Sequence, residues 1–322
     1  KVALNIDKFN LQAGIKHFKY RAPKSEGYVW NSAASRLQRA PDADRDARTY
    51  DITLPTFGVS YFFSDSLEAY FSYGRTFVRP YAFLPLINTY ITYRDRFRNA
   101  GVTLDDLFKG FDIERSDNFD LGLRFNSSVL EIAPTLFYSR HKKLLTTVYD
   151  PRVNLNYQQN IGKATGYGVE LPIYLTPTPW ITFFAQVTYH RLTYDMDITF
   201  QGNTLKTKGK QVVDVPRWSG MGGAIIKYQN FEIIPQVKYV GKRYGDAQNR
   251  EEVSSYTVID LKISYTKGNL LSLKNFKAFL EFDNLFDKKY IAVINAQDDA
   301  VQGTSYLVGA PFTVRAGISF SF

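Results

Sequence analysis

Cysteine is absent from these 322 residues. That excludes a disulfide framework, thiolate metal sites and a cysteine nucleophile, and it leaves the compartment open. Long apolar runs are also missing. No segment approaches the roughly 18–20 uninterrupted apolar residues of a membrane-spanning helix, and the mean hydropathy is −0.27. Histidine is scarce: His17, His141 and His190 are far apart in the chain and show no metal-ligating spacing, so no protein-held metal is expected. A Ser/His/Asp set, paired carboxylates in a plausible cleft, a phosphate-cradling glycine loop and a Walker motif are missing too. Neither an enzyme nor a resident cofactor is therefore expected.

What is present is aromatic. The chain has 23 Tyr and 25 Phe, and with Trp they make 16% of its residues. So many rings with an apolar body and a polar tip suit a membrane interface. The net charge of +9 admits an anionic partner such as nucleic acid, lipopolysaccharide or an acidic ligand. No basic run is long, so the preferred reading spreads that charge over a wet interior and surface, and nucleic acid is not expected. By length alone the chain has room for two ordinary domains or one large all-β domain. It shows no signal peptide, and KVALNIDKFNLQAGIKHFKY reads as the edge of a strand, so the expectation is a piece of a larger protein.

The clearest pattern has a period of two. In GAPFTVRAGISFSF, Phe312, Val314, Ala316, Ile318, Phe320 and Phe322 share one face, with Thr313, Arg315, Ser319 and Ser321 on the other. The pattern recurs and predicts strands near 8–20, 54–64, 66–77, 117–126, 129–145, 155–175, 179–196, 212–228, 230–244, 254–267, 274–287 and 304–322. Apolar faces such as Phe119, Leu121, Leu123, Phe125 and Ile259, Leu261, Ile263, Tyr265 oppose charged ones such as Asp120, Arg124 and Asp260, Lys262. A sandwich would need a second apolar layer, and no helical pattern supplies one.

The connections favour a barrel. Short turns at 64–66, 126–128, 176–179, 228–230 and 266–275 alternate with long stretches at 21–50, 79–115, 145–155, 195–211, 245–253 and 288–304. Short turns at one end and long loops at the other are the outer-membrane barrel pattern, and closure removes exposed edges. Phe322 is expected in the aromatic girdle at the periplasmic interface.

Four stretches in order resemble the TonB-dependent outer-membrane receptors of siderophore and iron-chelate type. They are LPTFGVSYFFSDSLEAYFSYGRTFVRP (54–80), ERSDNFDLGLRF (114–125), NIGKATGYGVEL (160–171) and FLEFDNLFDKKY (279–290) followed by GAPFTVRAGISFSF. Phe312 departs from the family, which often has Arg there. The resemblance implies an all-β, transmembrane antiparallel barrel of outer-membrane type, with residues 1–322 as about 12 C-terminal strands of about 22. The plug domain and first strands would be missing. It also implies an active-transport receptor that imports a ferric siderophore or related metal chelate with energy from the TonB–ExbB–ExbD system through that plug. Outer-membrane lipid and lipopolysaccharide are the expected surroundings in a Gram-negative type bacterium. A passive porin is the alternative; an adhesin acting through loops 21–50 and 79–115 stays open.

Candidate ligand contacts sit in the external loops. LPLINTYITYRDRFRNAGVTLDDLFKG (84–110) carries Tyr90, Tyr93, Arg94, Arg96 and Arg98, whose guanidinium groups and phenols suit an anionic chelate. A solvated loop against lipopolysaccharide is the competing reading. Within it, Thr103 is placed to cap a short helix with Asp105 and Asp106 in its first turn. INAQDDAVQGTSY (294–306) adds Asn295, Gln297 and Gln302, against the reading of a plain polar tip. The inward charges Asp120, Arg124, Glu131, Glu170, Arg217, Lys262, Glu281 and Arg315 are expected to pair with neighbouring strands; pairing with a plug is the other reading.

Overall fold

The structure, a computed structural model, describes residues 2–78, 84–270, 273–299 and 303–321. Its main element is one antiparallel sheet that follows the chain without a crossover. The strands are β1 (Val2–Ile6), β2 (Phe9–Ala22), β3 (Arg48–Ser64), β4 (Leu67–Val78) and β5 (Glu114–Asn126). Next come β6, in two pieces (Leu130–Ile132 and Thr135–Asp150), β7 (Leu155–Thr178), β8 (Ile181–Tyr194) and β9 (Trp218–Tyr228). β10 (Phe231–Val240), β11 (Tyr256–Leu270), β12 (Leu273–Asp283) and β13 (Thr313–Ser321) complete the wall. The break in β6 falls at Pro134, which has no N–H to donate. Its neighbours still pair: Leu123 N donates to Pro134 O at 3.0 Å and Ala133 N to Pro172 O at 3.2 Å.

Cross-strand register shows why this sheet is a membrane wall. Leu11, Val59, Phe71, Leu121, Leu136, Val169, Tyr189 and Trp218 are successive partners in one row across eight strands. The adjacent outward row toward the long loops reads Phe57, Tyr73, Phe119, Tyr138, Tyr167. An inward row between strands reads Ser60, Tyr70, Gly122, Thr135, Glu170, Thr188, Ser219. One face is thus apolar with an aromatic border and the other polar, as a lipid-facing wall around a wet lumen requires. At the short-turn end, Phe9, Tyr61 and Phe63 meet in series, tilted and then edge-on, with centroids 4.8 Å apart, and Phe231 meets Tyr265 at 4.9 Å. These rings form the lower border. The position of Phe322 lies outside the described residues.

The inner face is made uniform by a repeated pairing of an aromatic with a glycine. Tyr70, Phe137, Phe184 and Phe279 are the direct register partners of Gly122, Gly168, Gly223 and Gly317. At each glycine an added β-carbon would lie within 2.8 Å of the partner's ring. The ring occupies the space a side chain would need, which is the role glycine plays in curved sheets.

Five of the eight inward charges named from the sequence pair with neighbouring strands as expected, and Glu131, Glu170 and Arg217 make no ion pair among the described residues. Arg124 meets Glu68 at 3.0 Å, Lys262 meets Glu281 at 2.7 Å, and Arg315 meets Asp283 at 2.9 Å. Asp120 accepts from Ser72 Oγ at 2.9 Å.

Several boundaries differ from the sequence expectation. β1 is an additional strand, paired with β2 from Val2↔Ala13 to Ile6↔Phe9. The predicted strand 304–322 divides into a loop arm, Gly303–Val308, and β13, because Pro311 precedes the wall segment. The predicted strand 212–228 starts only at Trp218, since Gln211 is tied to Asn249 in another loop. The predicted ten-residue turn 266–275 is mostly strand, with β11 reaching Leu270 and β12 starting at Leu273.

Candidate functional site

Above the long-loop end of the wall, the connections pack on one another around a hydrophobic core of their own. The stretch 79–115, expected as a long loop with one short helix capped by Thr103, contains three helices among its described residues: α1 (Leu84–Thr92), α2 (Arg94–Asn99) and α3 (Leu104–Lys109). α3 starts with a capping box, in which Asp106 N donates to Thr103 Oγ1 at 3.2 Å and Thr103 N to Asp106 Oδ2 at 2.9 Å. The Lys109 ammonium and the Thr103 N–H hold the Asp106 carboxyl down to about 2. Leu86, Tyr90, Phe97, Leu104, Leu107 and Phe108 from these helices are buried with Val148, Leu155, Tyr157 and Ile198 from other connections. A file of rings runs Tyr90–Phe97–Tyr157–Phe200, with successive centroids 5.1, 6.1 and 5.9 Å apart.

This core gives the predicted contact residues separate positions. Tyr90 is fully buried; its hydroxyl donates to Asp42 O at 2.8 Å and Asp42 Oδ2 at 3.0 Å. Arg94 grips the same carboxylate with two bonds, Nε–Oδ2 2.7 Å and Nη2–Oδ1 2.5 Å. Hydrogen bonding from Arg94 holds the Asp42 carboxyl below its usual range, against partial burial, and burial with Asp42 alongside pushes the Tyr90 phenol up. These two side chains therefore fasten α1 and α2 to the 23–47 connection. Tyr93 is half-buried at the junction of α1 and α2, with the Arg96 guanidinium 5.3 Å from its ring centre. Arg96 and Arg98 are exposed, Arg96 donating to Asn154 O at 3.2 Å and Arg98 lying 3.9 Å from Asp95. Asn295 is exposed on the hairpin Ile291–Asp299/Gly303–Val308, far along the chain from that group. The Gln297 side chain and Gln302 lie outside the described residues.

A cavity of about 380 Å³ opens between four other connections: the tip of β6–β7, segment 195–217, segment 241–255 and the 291–308 hairpin. Sequence reading placed 145–155, 195–211, 245–253 and 288–304 outside the wall and nominated only residues of the last, while Asn156, Gln158, Val212 and Asp214 fell in its predicted strands. The β6–β7 tip is the partition that makes the site. Beyond the register shifts at Asn160–Lys163, the two strands continue to Asp150 and Leu155. Val148, Leu155, Tyr157 and Gln159 on one face are buried against the loop core. Thr147, Tyr149, Asn156 and Gln158 on the other face line the cavity. Between positions 147 and 158 the strand period of two separates these roles residue by residue.

The far side of the cavity is latched by Arg243. Its guanidinium, 5% exposed, donates to Asp214 at 2.8 Å, Ile291 O at 2.6 Å and Ala292 O at 3.3 Å. One side chain thus joins three connections. Thr304 Oγ1 donates to Gly245 O at 2.9 Å and Tyr306 donates to Glu251 Oε2 at 2.6 Å, closing the hairpin onto segment 241–255. Burial pushes the Asp214 carboxyl up, with Arg243 opposing. Burial also acts on Asp246, but the Glu251 N–H and the Arg250 guanidinium outweigh it and hold that carboxyl below its usual range.

A second recess, of about 410 Å³, lies on the inner wall and contains Tyr70, Asp120, Glu170, His141 and His190. The fold thus brings together two histidines 49 positions apart in the sequence, which spacing alone did not reveal. Among the described residues no group of three or more histidines and carboxylates is arranged to hold a metal ion.

Residues 2–285 match the family model described as TonB dependent receptor-like, beta-barrel. A pesticin receptor of Yersinia enterocolitica is 26% identical over 189 residues, 56% of this chain and 26% of that protein. The ferrichrome outer membrane transporter/phage receptor of Escherichia coli K12 is 23% identical over 235 residues, 73% of this chain and 28% of that protein. Among solved structures, the ferric yersiniabactin uptake receptor of Yersinia pestis superposes with a TM-score of 0.65 at 17% identity. That match covers 97% of this chain and 43% of the other. The chain spans about a quarter of the length of these curated relatives.

Proposed function

The chain belongs to the TonB-dependent receptor β-barrel family, and from that premise we propose that it supplies wall and mouth to an active-transport receptor for a metal chelate, most simply a ferric siderophore. In this reading residues 1–322 are the C-terminal part of the barrel, working with a plug that the TonB–ExbB–ExbD system rearranges. The protein sits in the outer membrane of a Gram-negative type bacterium, among lipid and lipopolysaccharide. Capture is by affinity, and no covalent chemistry is involved. The observation that carries the reading is the cavity at the mouth, walled by four connections, three of them latched by Arg243, on a barrel whose outer face suits lipid. A small-molecule site is expected to be this kind of preformed concavity, mixing apolar surface with a few directed polar groups. The relatives' names support the same class: pesticin, ferrichrome and ferrioxamine receptors, and a vitamin B12 transporter.

The test is uptake of radiolabelled ferric chelates by cells expressing the complete protein, with and without TonB. Saturable uptake that stops on TonB deletion is expected. Uptake continuing at the same rate without TonB overturns the proposal in favour of passive diffusion.

A further inference from the structure

The overall charge of +9 and the arginines of α2 point to an anionic ligand. The cavity itself points the other way. Its described lining contains three carboxylates, Asp214, Asp246 and Glu251, and one guanidinium, Arg250. That guanidinium is already held by Asp246, with Nε–Oδ2 at 3.1 Å. Arg243, which meets Asp214, is buried behind the lining, and even with it counted the carboxylates are in excess. Lysine is absent from the described lining. Arg94 is committed to Asp42, and Arg94, Arg96 and Arg98 do not line the cavity.

The remaining surface is of two kinds. Leu144, Leu145, Leu205, Val212 and Ile294 offer an apolar seat. Thr147, Asn156 and Gln158 project from the partition, and their side chains make no hydrogen bond to another described residue. These groups donate and accept equally well, so they suit amides, hydroxyls or hydroxamates without demanding charge. An anionic ligand would lose water against this wall and meet no free cation among its described residues, at a cost that is steep in a concave site. We infer that the mouth cavity takes a neutral or cationic chelate with apolar arms in preference to an anionic one. This rests on the receptor reading above and narrows its substrate class.

The experiment measures dissociation constants of the complete protein in detergent at near-physiological salt. Three ferric probes are used: a trihydroxamate chelate of charge +1, a neutral trihydroxamate and an anionic tricarboxylate. The expected order places both hydroxamates at least about tenfold tighter than the tricarboxylate. Gln158→Lys and Gln158→Glu then read the sign of the ligand directly. One charge about 5 Å away in a water-like medium changes affinity about fourfold, and more where water is excluded. Gln158→Lys is expected to weaken the cationic probe by that factor or more, Gln158→Glu to strengthen it, and the neutral probe to change little. Asn156→Lys repeats the test from a second position, in case one variant folds poorly. Tighter binding of the tricarboxylate, strengthened further by Gln158→Lys, overturns this inference and leaves the receptor reading intact. Failure of all three chelates to bind overturns the receptor reading itself.

Discussion

The ring of Tyr70 occupies the place a side chain on Gly122 would need: a β-carbon there would lie 2.5 Å from the ring. The two residues are direct partners across β4 and β5 on the lumen face. The Tyr70 hydroxyl continues to Thr135 Oγ1 at 2.6 Å, and the Arg124 guanidinium lies 4.1 Å from its ring centre. Gly122→Ala is expected to destabilise the barrel by about 1–3 kcal/mol through overpacking. In a Tyr70→Ala background the same change should cost much less, because the obstructing ring is gone. Thermal unfolding of the four proteins of that cycle in detergent checks this; equal cost in both backgrounds contradicts the relationship.

Arg243→Ala removes the latch between three connections. It leaves Asp214 and two backbone carbonyls without their charged donor, a loss of about 1.5–3 kcal/mol locally. Hydrogen exchange should accelerate in residues 209–215 and 291–295 while β2 to β5 keep their protection. Arg243→Lys keeps the charge but not the fork, and an intermediate effect is expected.

Tyr90 and Arg94 differ from Arg96 and Arg98 in what their loss should do. Tyr90→Phe and Asp42→Asn are expected to loosen the loop core by about 1–2 kcal/mol, seen as faster proteolysis within residues 23–47. Arg96→Ala and Arg98→Ala should change stability by no more than about 0.5 kcal/mol. Any fall in chelate binding on removing these exposed arginines would then report a contact with ligand, since the fold is unchanged.

Acid should spare the start of α3. Asp106 titrates at about 2 in the folded loop against an ordinary value of 3.8. Its folded value is depressed, so its contribution is present above 3.8 and is lost as pH falls through about 2. Fluorescence of a probe attached near residue 101 should report an intact cap at pH 3. Fraying already complete at pH 4 would contradict the capping geometry.

The wall was legible in the sequence and the mouth was not, for a physical reason. Leu121, Leu136 and Val169 face lipid while Asp120, Thr135 and Glu170 face water, so hydropathy alternates with the strand. In the β6–β7 tip, Val148 and Tyr157 are buried against helices, while Thr147 and Gln158 face a polar cavity. Neither side is lipid, and buried Gln159 donates to Leu107 O at 3.3 Å instead of presenting an apolar chain. Alternation of burial persists without alternation of hydropathy, so 145–155 read as loop. The α3 cap was readable because its Thr103 and Asp106 act locally. α1 and α2 depend on distant partners, Asp42 above all, that no window of sequence contains. Tyr90 and Arg94 stood out as polar aromatics and cations, yet the structure gives them to the loop core. Gln158, which faces the cavity, carries no local signal at all.

The two-faced tip of β6 and β7 has an evolutionary corollary. Side chains at 147, 156 and 158 hold no other part of the loops together, so they can vary while the alternate positions 148, 155 and 157 preserve the scaffold. Under the proposed receptor reading, a lineage could shift its preference one substitution at a time while the buried alternate positions keep the fold.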